Sequence, residues 1–148
     1  MTSSERWTEM GIGVAWGAGD QIQGTPFRVA VPGTETSGHA VVLTADMPPG
    51  LHVDAHIHET EEQINIVLSG QVRFRVGDEE AILGAGGVLL MPRDIEHELW
   101  NDTDEFARII EIYTPPGMEQ NFAAAGAAAI AGGKGVADAE DYATGRSS

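Results

Sequence analysis

The chain has 148 residues, which is enough for one domain with a hydrophobic core and too few for two domains of ordinary size. Hydrophobic residues make up 42% of the sequence, and this proportion excludes a chain that is disordered throughout. Acidic residues outnumber basic ones by 23 to 8, so the formal net charge of −15 argues against nucleic acid or an anionic membrane as a partner. The absence of cysteine excludes disulfides and thiolate metal ligands.

The first residues show little sign of regular structure. Residues 1–25 are polar and rich in glycine, with Trp7 and Trp16 as their only large anchors, and this predicts an N-terminal arm with at most one short strand. The opening MTSSERWTEMGIG lacks a basic segment followed by an apolar run, and no apolar stretch of the sequence is long enough to span a membrane. We therefore expect a cytoplasmic protein.

Residues 26–117 read as a series of short strands. Each run ends in a cluster of Gly, Pro or Asp, and no stretch between residues 26 and 114 has the apolar spacing of a helix. The runs are FRVAV, HAVVLTADM, QINIVLSG, QVRFRVGD, AIL, VLLMP, IEHELWN and FARIIEIY. Many short strands with turn signals every eight to twelve residues are typical of an all-β sandwich or barrel.

Residues 118–148 form a tail of different composition. The run EQNFAAAGAAAIAG is rich in alanine and predicts a helix that begins after Pro116, although its glycines weaken it. From Gly132 onward the sequence is small, polar and acidic, and its composition cannot build a core. We therefore expect the segment beyond Gly132 to be dispensable for the binding site described next.

Three of the five histidines have the spacing of a metal site. His56 and His58 are separated by one residue, so both imidazoles face the same side of an extended strand. His97 lies far away in sequence between Glu96 and Glu98, whose carboxylates should point to solvent. Each histidine thus falls on an otherwise apolar face, and a divalent ion would be a common partner for three buried imidazoles.

The segment from Gly50 to Gly70 resembles the first motif of the cupin family: Gly, five residues, His-x-His, four residues, an acid or amide, six residues, Gly. His56, His58 and Gln63 occupy the ligand positions of that motif. Gln63 stands where cupins more commonly have Glu, and the adjacent Glu62 would take its place if the strand were shifted by one residue.

The segment 86–101 resembles the second cupin motif: Gly, five residues, Pro-x-Gly, two residues, His, three residues, Asn. Pro92, His97 and Asn101 match it, and Asp94 replaces its second Gly, in a turn that Asp tolerates. The resemblance implies an all-β cupin jelly-roll barrel with a short C-terminal helix, and it implies a homodimer.

The same resemblance implies one divalent metal ion (Zn, Ni, Fe or Mn) bound by His56, His58, Gln63 and His97. A neutral amide ligand leaves the charge of the ion undiminished and makes it a stronger Lewis acid. Similar cupins with a His-His-Gln-His set include uronate ring-opening enzymes and aromatic polyketide cyclases. The resemblance thus implies a metal-dependent isomerase, cyclase or lyase acting on a small oxygenated molecule. An iron(II)-dependent dioxygenase and a non-catalytic binder of a small ligand or metal remain open alternatives.

Proton transfer beside a metal needs a titratable group, and three residues are candidates. His52 and Asp54 share the strand parity of His56, and Glu111 is a buried carboxylate if the last strand alternates strictly. Each also has a structural explanation: His52 as a residue of the barrel rim, Asp54 as a turn former, and Glu111 as an outward-facing residue of its strand.

Overall fold

The computed structural model describes residues 14–133, and its regular elements are almost all strands. In chain order they are β1 (Asp20–Gln21), β2 (Phe27–Val31), β3 (Val41–Met47), β4 (His52–His56), β5 (Glu62–Ser69), β6 (Val72–Val76), β7 (Glu79–Leu83), β8 (Val88–Met91), β9 (His97–Trp100), β10 (Ala107–Thr114) and α1 (Met118–Ala131). The 3-10 turn Gly33–Thr36 was not predicted. The all-β prediction is confirmed, and so is the helix after Pro116.

The strands form two antiparallel sheets. The larger sheet has the order β1-β2-β3-β10-β5-β8, and the smaller one has the order β4-β9-β6-β7. Side chains from both sheets meet in one hydrophobic core, to which β3 and β10 contribute at every second residue. The predictions made for Trp7 and for the segment beyond Gly133 concern residues outside the described part of the chain.

Helix α1 packs against the barrel through one of its faces. Its buried residues, at helical spacing, are Met118, Phe122, Ala125, Gly126 and Ala129. The Phe122 ring stacks on Phe27 with 4.6 Å between the ring centroids. A Cβ atom at position 126 would collide with the backbone carbonyl oxygen of Gln23, so glycine is what permits this close approach. No helix within residues 14–133 is long and apolar enough to cross a membrane.

The turn before β9 has the conformation that its sequence suggested. Asp94 adopts a left-handed backbone with φ of +66°, at the position where the second motif usually has glycine. The backbone N–H of Asp94 donates to the carbonyl oxygen of His58 at 2.9 Å. This hydrogen bond ties the loop that carries His58 to the turn that precedes His97.

Candidate metal centre

The three motif histidines converge. His56 is the last residue of β4 and lies opposite His97, the first residue of β9, while His58 follows in the loop after β4. One ligand nitrogen from each of the three rings lies within 4.8 Å of the other two. Strand pairing therefore brings together side chains that are about forty residues apart in sequence, in an arrangement that could hold a metal ion.

Three buried polar atoms in this cluster have no hydrogen-bond partner among the described residues: His58 Nε2, His97 Nε2 and Gln63 Oε1. A buried polar group without a partner costs about 1–3 kcal/mol, so three together in a folded core need an explanation. The Nδ1 atom of His97 faces the carbonyl oxygen of Ile95 at 3.3 Å, and only a protonated Nδ1 can donate to a carbonyl. Nε2 of His97 then carries the lone pair that a metal ligand requires.

Gln63 is oriented by its neighbour on β5. Its Nε2 donates to Asn65 Oδ1 at 2.8 Å, which leaves Oε1 as the acceptor within the cluster. Gln63 and Asn65 are both buried, whereas Glu62 points outward and forms an ion pair with Arg93 at 3.1 Å. The register that would exchange Glu62 for Gln63 is thus contradicted.

The electrostatics of the cluster favour metal binding at neutral pH. Burial, together with repulsion from His56, lowers the pKa of His58 to about 4. The same two causes, with added repulsion from His58, lower the pKa of His97 to about 3. Both rings are therefore neutral near pH 7, as a metal ligand must be. Neutral imidazole nitrogens beside an amide oxygen fit a divalent first-row ion such as zinc, nickel, iron or manganese.

Glu111 is a buried carboxyl group close to these candidate ligands. It is 2% exposed, so the strict alternation expected of β10 is confirmed. Its Oε1 accepts a hydrogen bond from the Tyr113 hydroxyl at 2.7 Å, and its Oε2 accepts one from Asn65 Nδ2 at 3.3 Å. Burial raises the pKa of Glu111 to about 7, against the two hydrogen bonds that favour the charged form. Asn65 thus links Gln63 to Glu111.

The expectation that His52 and Asp54 share the face of His56 is wrong. The pairing of β4 with β9 is irregular between Val53 and His56, and this irregularity breaks the two-residue alternation. Val53 faces the core, while His52 lies on the other side of the sheet with Nε2 2.6 Å from Glu98 Oε2. Its Nδ1 is 3.2 Å from Asp54 Oδ1, so both ring nitrogens face carboxylates. His52, Asp54 and Glu98 form an outer ion-pair cluster, and Glu98 is less exposed than expected.

The comparisons with known proteins agree with this geometry. Residues 43–113 match the family model described as "Cupin domain". The barrel has a jelly-roll fold of the cupin type. A comparison with curated proteins found no match.

Solved cupin-like structures superpose on most of the barrel. KdgF from a Halomonas species is 16% identical, with a TM-score of 0.56, over 62% of this chain and 78% of that one. TT1209 from Thermus thermophilus is 27% identical, with a TM-score of 0.50, over 53% and 74%. A predicted oxalate decarboxylase from Thermotoga maritima is 20% identical, with a TM-score of 0.57, over 61% and 79%. At 16% and 20% identity, the similarities to KdgF and to the Thermotoga maritima protein show the fold alone.

The barrel holds a narrow cavity of about 20 Å³ beside the histidines. Its lining residues are Phe27, Val53, His56, Gln63, His97, Leu99, Glu111, Tyr113 and Phe122. A cavity of this volume has room for a bound ion or one water molecule. The inference from sequence missed Phe122, which reaches the cavity from α1. Its signal was a single aromatic residue within an alanine-rich helix.

Proposed function

We propose that this cupin is a metal-dependent enzyme that moves protons on a small oxygenated organic molecule, as an isomerase, cyclase or lyase does. His56, His58, Gln63 and His97 would hold one divalent cation. The observation that carries the proposal is Glu111, a buried carboxyl group that lines the same cavity as the ligands. A site that only stores a metal has no need of such a group.

The cation, when bound, supplies Lewis acidity toward a carbonyl, enol or carboxylate oxygen of the substrate. Because Gln63 is a neutral ligand, it leaves the charge of the cation undiminished. Glu111 accepts or returns a proton at a carboxylate oxygen, and its pKa of about 7 in the barrel suits exchange in both directions. Tyr113 and Asn65 fix the two oxygens of this carboxyl group by hydrogen bonds.

The walls of the cavity restrict what can bind. Val53, Leu99, Phe27 and Phe122 contribute apolar surface, and the polar groups lie toward His97 and the other ligands. These walls would contact an apolar or flat part of a substrate whose oxygen atoms lie toward the ligands. The structural relatives support the fold, and the reaction class rests on the residues of this chain.

Exchange of solvent deuterium into small carbonyl compounds tests the proposal. The purified protein would be stripped of metal, reloaded with zinc, nickel, manganese or iron(II), and incubated without O₂ with keto acids, uronic acids and phenolic ketones. We expect metal-dependent exchange, detected by NMR, that Glu111→Gln abolishes while its metal content is unchanged. Glu105→Gln, which alters an exposed side chain, is the matched control.

Two results would contradict the proposal. Turnover that occurs only with iron(II) and consumes O₂ would indicate a dioxygenase. Full metal occupancy with tight binding of a compound but no exchange or conversion would indicate a non-catalytic binder.

A further inference from the structure

A second cavity lies outside the barrel, between residues 16–26 and the outer face of the larger sheet. Its volume is about 240 Å³, against about 20 Å³ beside the histidines, and it lies just below the range of about 300–1,000 Å³ for small-molecule sites. We call this cavity the outer cleft. Among the side chains that line it, the ones able to recognise a ligand are Trp16, Gln21, Arg28, Thr44 and Asp46.

Three polar side chains form a row across adjacent strands at the floor of the outer cleft. Gln21 of β1 lies opposite Arg28 of β2, and Arg28 lies opposite Thr44 of β3. The neighbours of Thr44 in sequence, Leu43 and Ala45, belong to the core, so Thr44 points to the outer side of the sheet. Residues that lie directly opposite each other have Cβ atoms about 4.5–5.5 Å apart, so a small molecule over Arg28 can touch both of its neighbours.

The hydroxyl group of Thr44 has no protein partner in this row. Thr44 is 9% exposed, and within residues 14–133 no hydrogen bond reaches its Oγ1 atom. Burying a hydroxyl group without a partner costs stability, and a valine of similar size would fill the position without that cost. The outer cleft is the space from which a partner for this hydroxyl group can come.

Arg28 supplies a cation that no carboxylate neutralises. Its Nη1 donates to the carbonyl oxygen of Gly19 at 2.9 Å, and no ion pair within the described part of the chain includes it. A guanidinium group has five N–H donors, so four of them are unused. The fork of these donors matches the two oxygens of a carboxylate.

Acceptor groups lie beside this cation. The Nε2 atom of Gln21 donates to the carbonyl oxygen of Thr25 at 2.7 Å, which fixes the amide and leaves its Oε1 as an acceptor. Asp46 accepts from Arg108 Nε at 3.0 Å through Oδ1, which leaves its Oδ2 for a ligand. The outer cleft thus offers a cation, a hydroxyl group and two acceptors to one small molecule.

We propose that the outer cleft binds a small carboxylate that also carries hydroxyl or amino groups, as hydroxy acids and amino acids do. Arg28 and the Thr44 hydroxyl group donate to the carboxylate, and Gln21 and Asp46 accept from the hydroxyl or amino group. A phosphate dianion suits the cleft less, because the charge of Asp46 repels it. The site is separate from the histidines, since Phe27 lines the barrel cavity while the next residue lines the outer cleft. This proposal does not depend on the proposed enzymatic function.

Proton–nitrogen correlation NMR of the full chain tests the site through the indole N–H of Trp16. The guanidinium of Arg108 lies 4.5 Å from the Trp16 ring centroid, so this ring is a fixed wall of the cleft. The probes are lactate, malate, glycine and serine, with acetate and inorganic phosphate for comparison. We expect a hydroxy or amino acid to move the Trp16 signal, assigned with Trp16→Phe, at lower concentration than acetate or phosphate does. The protein is stripped of metal beforehand, and His97→Ala should respond in the same way.

Two substitutions in the cleft measure its contribution to binding. Arg28→Gln should weaken affinity for the tightest probe by at least about 10-fold, because hydrogen bonds to a charged group are lost. Thr44→Val should weaken it by about 3- to 10-fold, and its free energy of unfolding should not fall because the hydroxyl group has no protein partner. Arg73→Gln, on β6 of the smaller sheet, is the matched control and should leave affinity unchanged.

Circular dichroism verifies that the variants fold. Arg28→Lys, which keeps the charge but loses the fork of donors, should weaken binding by a smaller factor and covers the case in which Arg28→Gln does not fold. Three results would overturn the proposal: a Trp16 signal that no probe moves, affinity that Arg28→Gln leaves unchanged, and phosphate that binds as tightly as the hydroxy and amino acids. Loss of the response in His97→Ala would also overturn it, because the probes would then bind among the histidines.

Discussion

The substitution Glu111→Gln removes the ionisation of one buried carboxyl group and leaves the rest of the barrel unchanged. Glutamine has the same shape, and its amide can accept from Asn65 and donate to the Tyr113 oxygen, whose hydroxyl hydrogen can rotate away. The variant therefore keeps the hydrogen bonds of Glu111 but cannot ionise. The comparison is made on metal-free protein, because a bound cation would itself change the pKa of Glu111.

The magnitude follows from the raised pKa of Glu111. That pKa is about 7 in the folded protein, against 4.5 for an ordinary glutamate. Between these two values the folded state holds a proton that the unfolded state has lost, so the free energy of unfolding falls as pH rises. A gap of about 2.5 pH units at about 1.4 kcal/mol per unit corresponds to about 3 kcal/mol. The stabilisation is fully present below pH 4.5 and is lost above pH 7.

Urea denaturation of both proteins from pH 4.5 to 8, in the presence of a chelator, measures this quantity. The unfolding free energy of the unmodified protein minus that of Glu111→Gln should fall by about 3 kcal/mol across this range. His58 and His97 have lowered pKa values and destabilise both proteins at acid pH, so they cancel in the difference. Glu105→Gln controls for the change in net charge. A difference that stays constant with pH would refute the assignment of a raised pKa to Glu111.

Three further predictions concern the site and its surroundings. Gln63→Glu should keep its metal, because a carboxylate adds charge attraction, but it should lose turnover. Elemental analysis measures the metal content and the exchange assay measures the turnover, and His97→Ala is the control variant that should lose the metal. A gain in activity in Gln63→Glu would instead favour an oxygenase. Phe122→Ala should lower the free energy of unfolding by about 3–5 kcal/mol, because the contact with Phe27 is lost and the smaller side chain leaves a void. A change below about 1 kcal/mol in urea denaturation would show that α1 does not close the barrel. Deletion of residues 133–148 should leave metal content unchanged, and loss of metal would mean that this segment helps to form the site.

Much of the site could be predicted from short-range pattern alone. The alternation of a strand is a local property, so the inward direction of Gln63 on β5 and of Glu111 on β10 could be derived from the residues on either side. The left-handed turn at Asp94 and the helix after Pro116 are also decided within a few residues. The spacing of the histidines predicted their convergence, which the pairing of β4 with β9 confirms.

Alternation failed where the partner strand imposed an irregularity. The sequence around His52 reads as a regular strand, but the register between β4 and β9 shifts before His56 and turns His52 and Asp54 toward Glu98. No local signal marks this shift, since a bulge depends on which residues the neighbouring strand presents.

The amino-acid sequence by itself determined the all-β architecture, the two motifs that carry the histidines and the direction of most strand residues, because these depend on neighbours a few positions away. Only the tertiary structure decided that Asn65 bridges Gln63 to Glu111 and that Phe122 of α1 lines the cavity. Each of these depends on a contact between elements remote in sequence. Its energy depends on the relative placement of two surfaces, which no local pattern specifies.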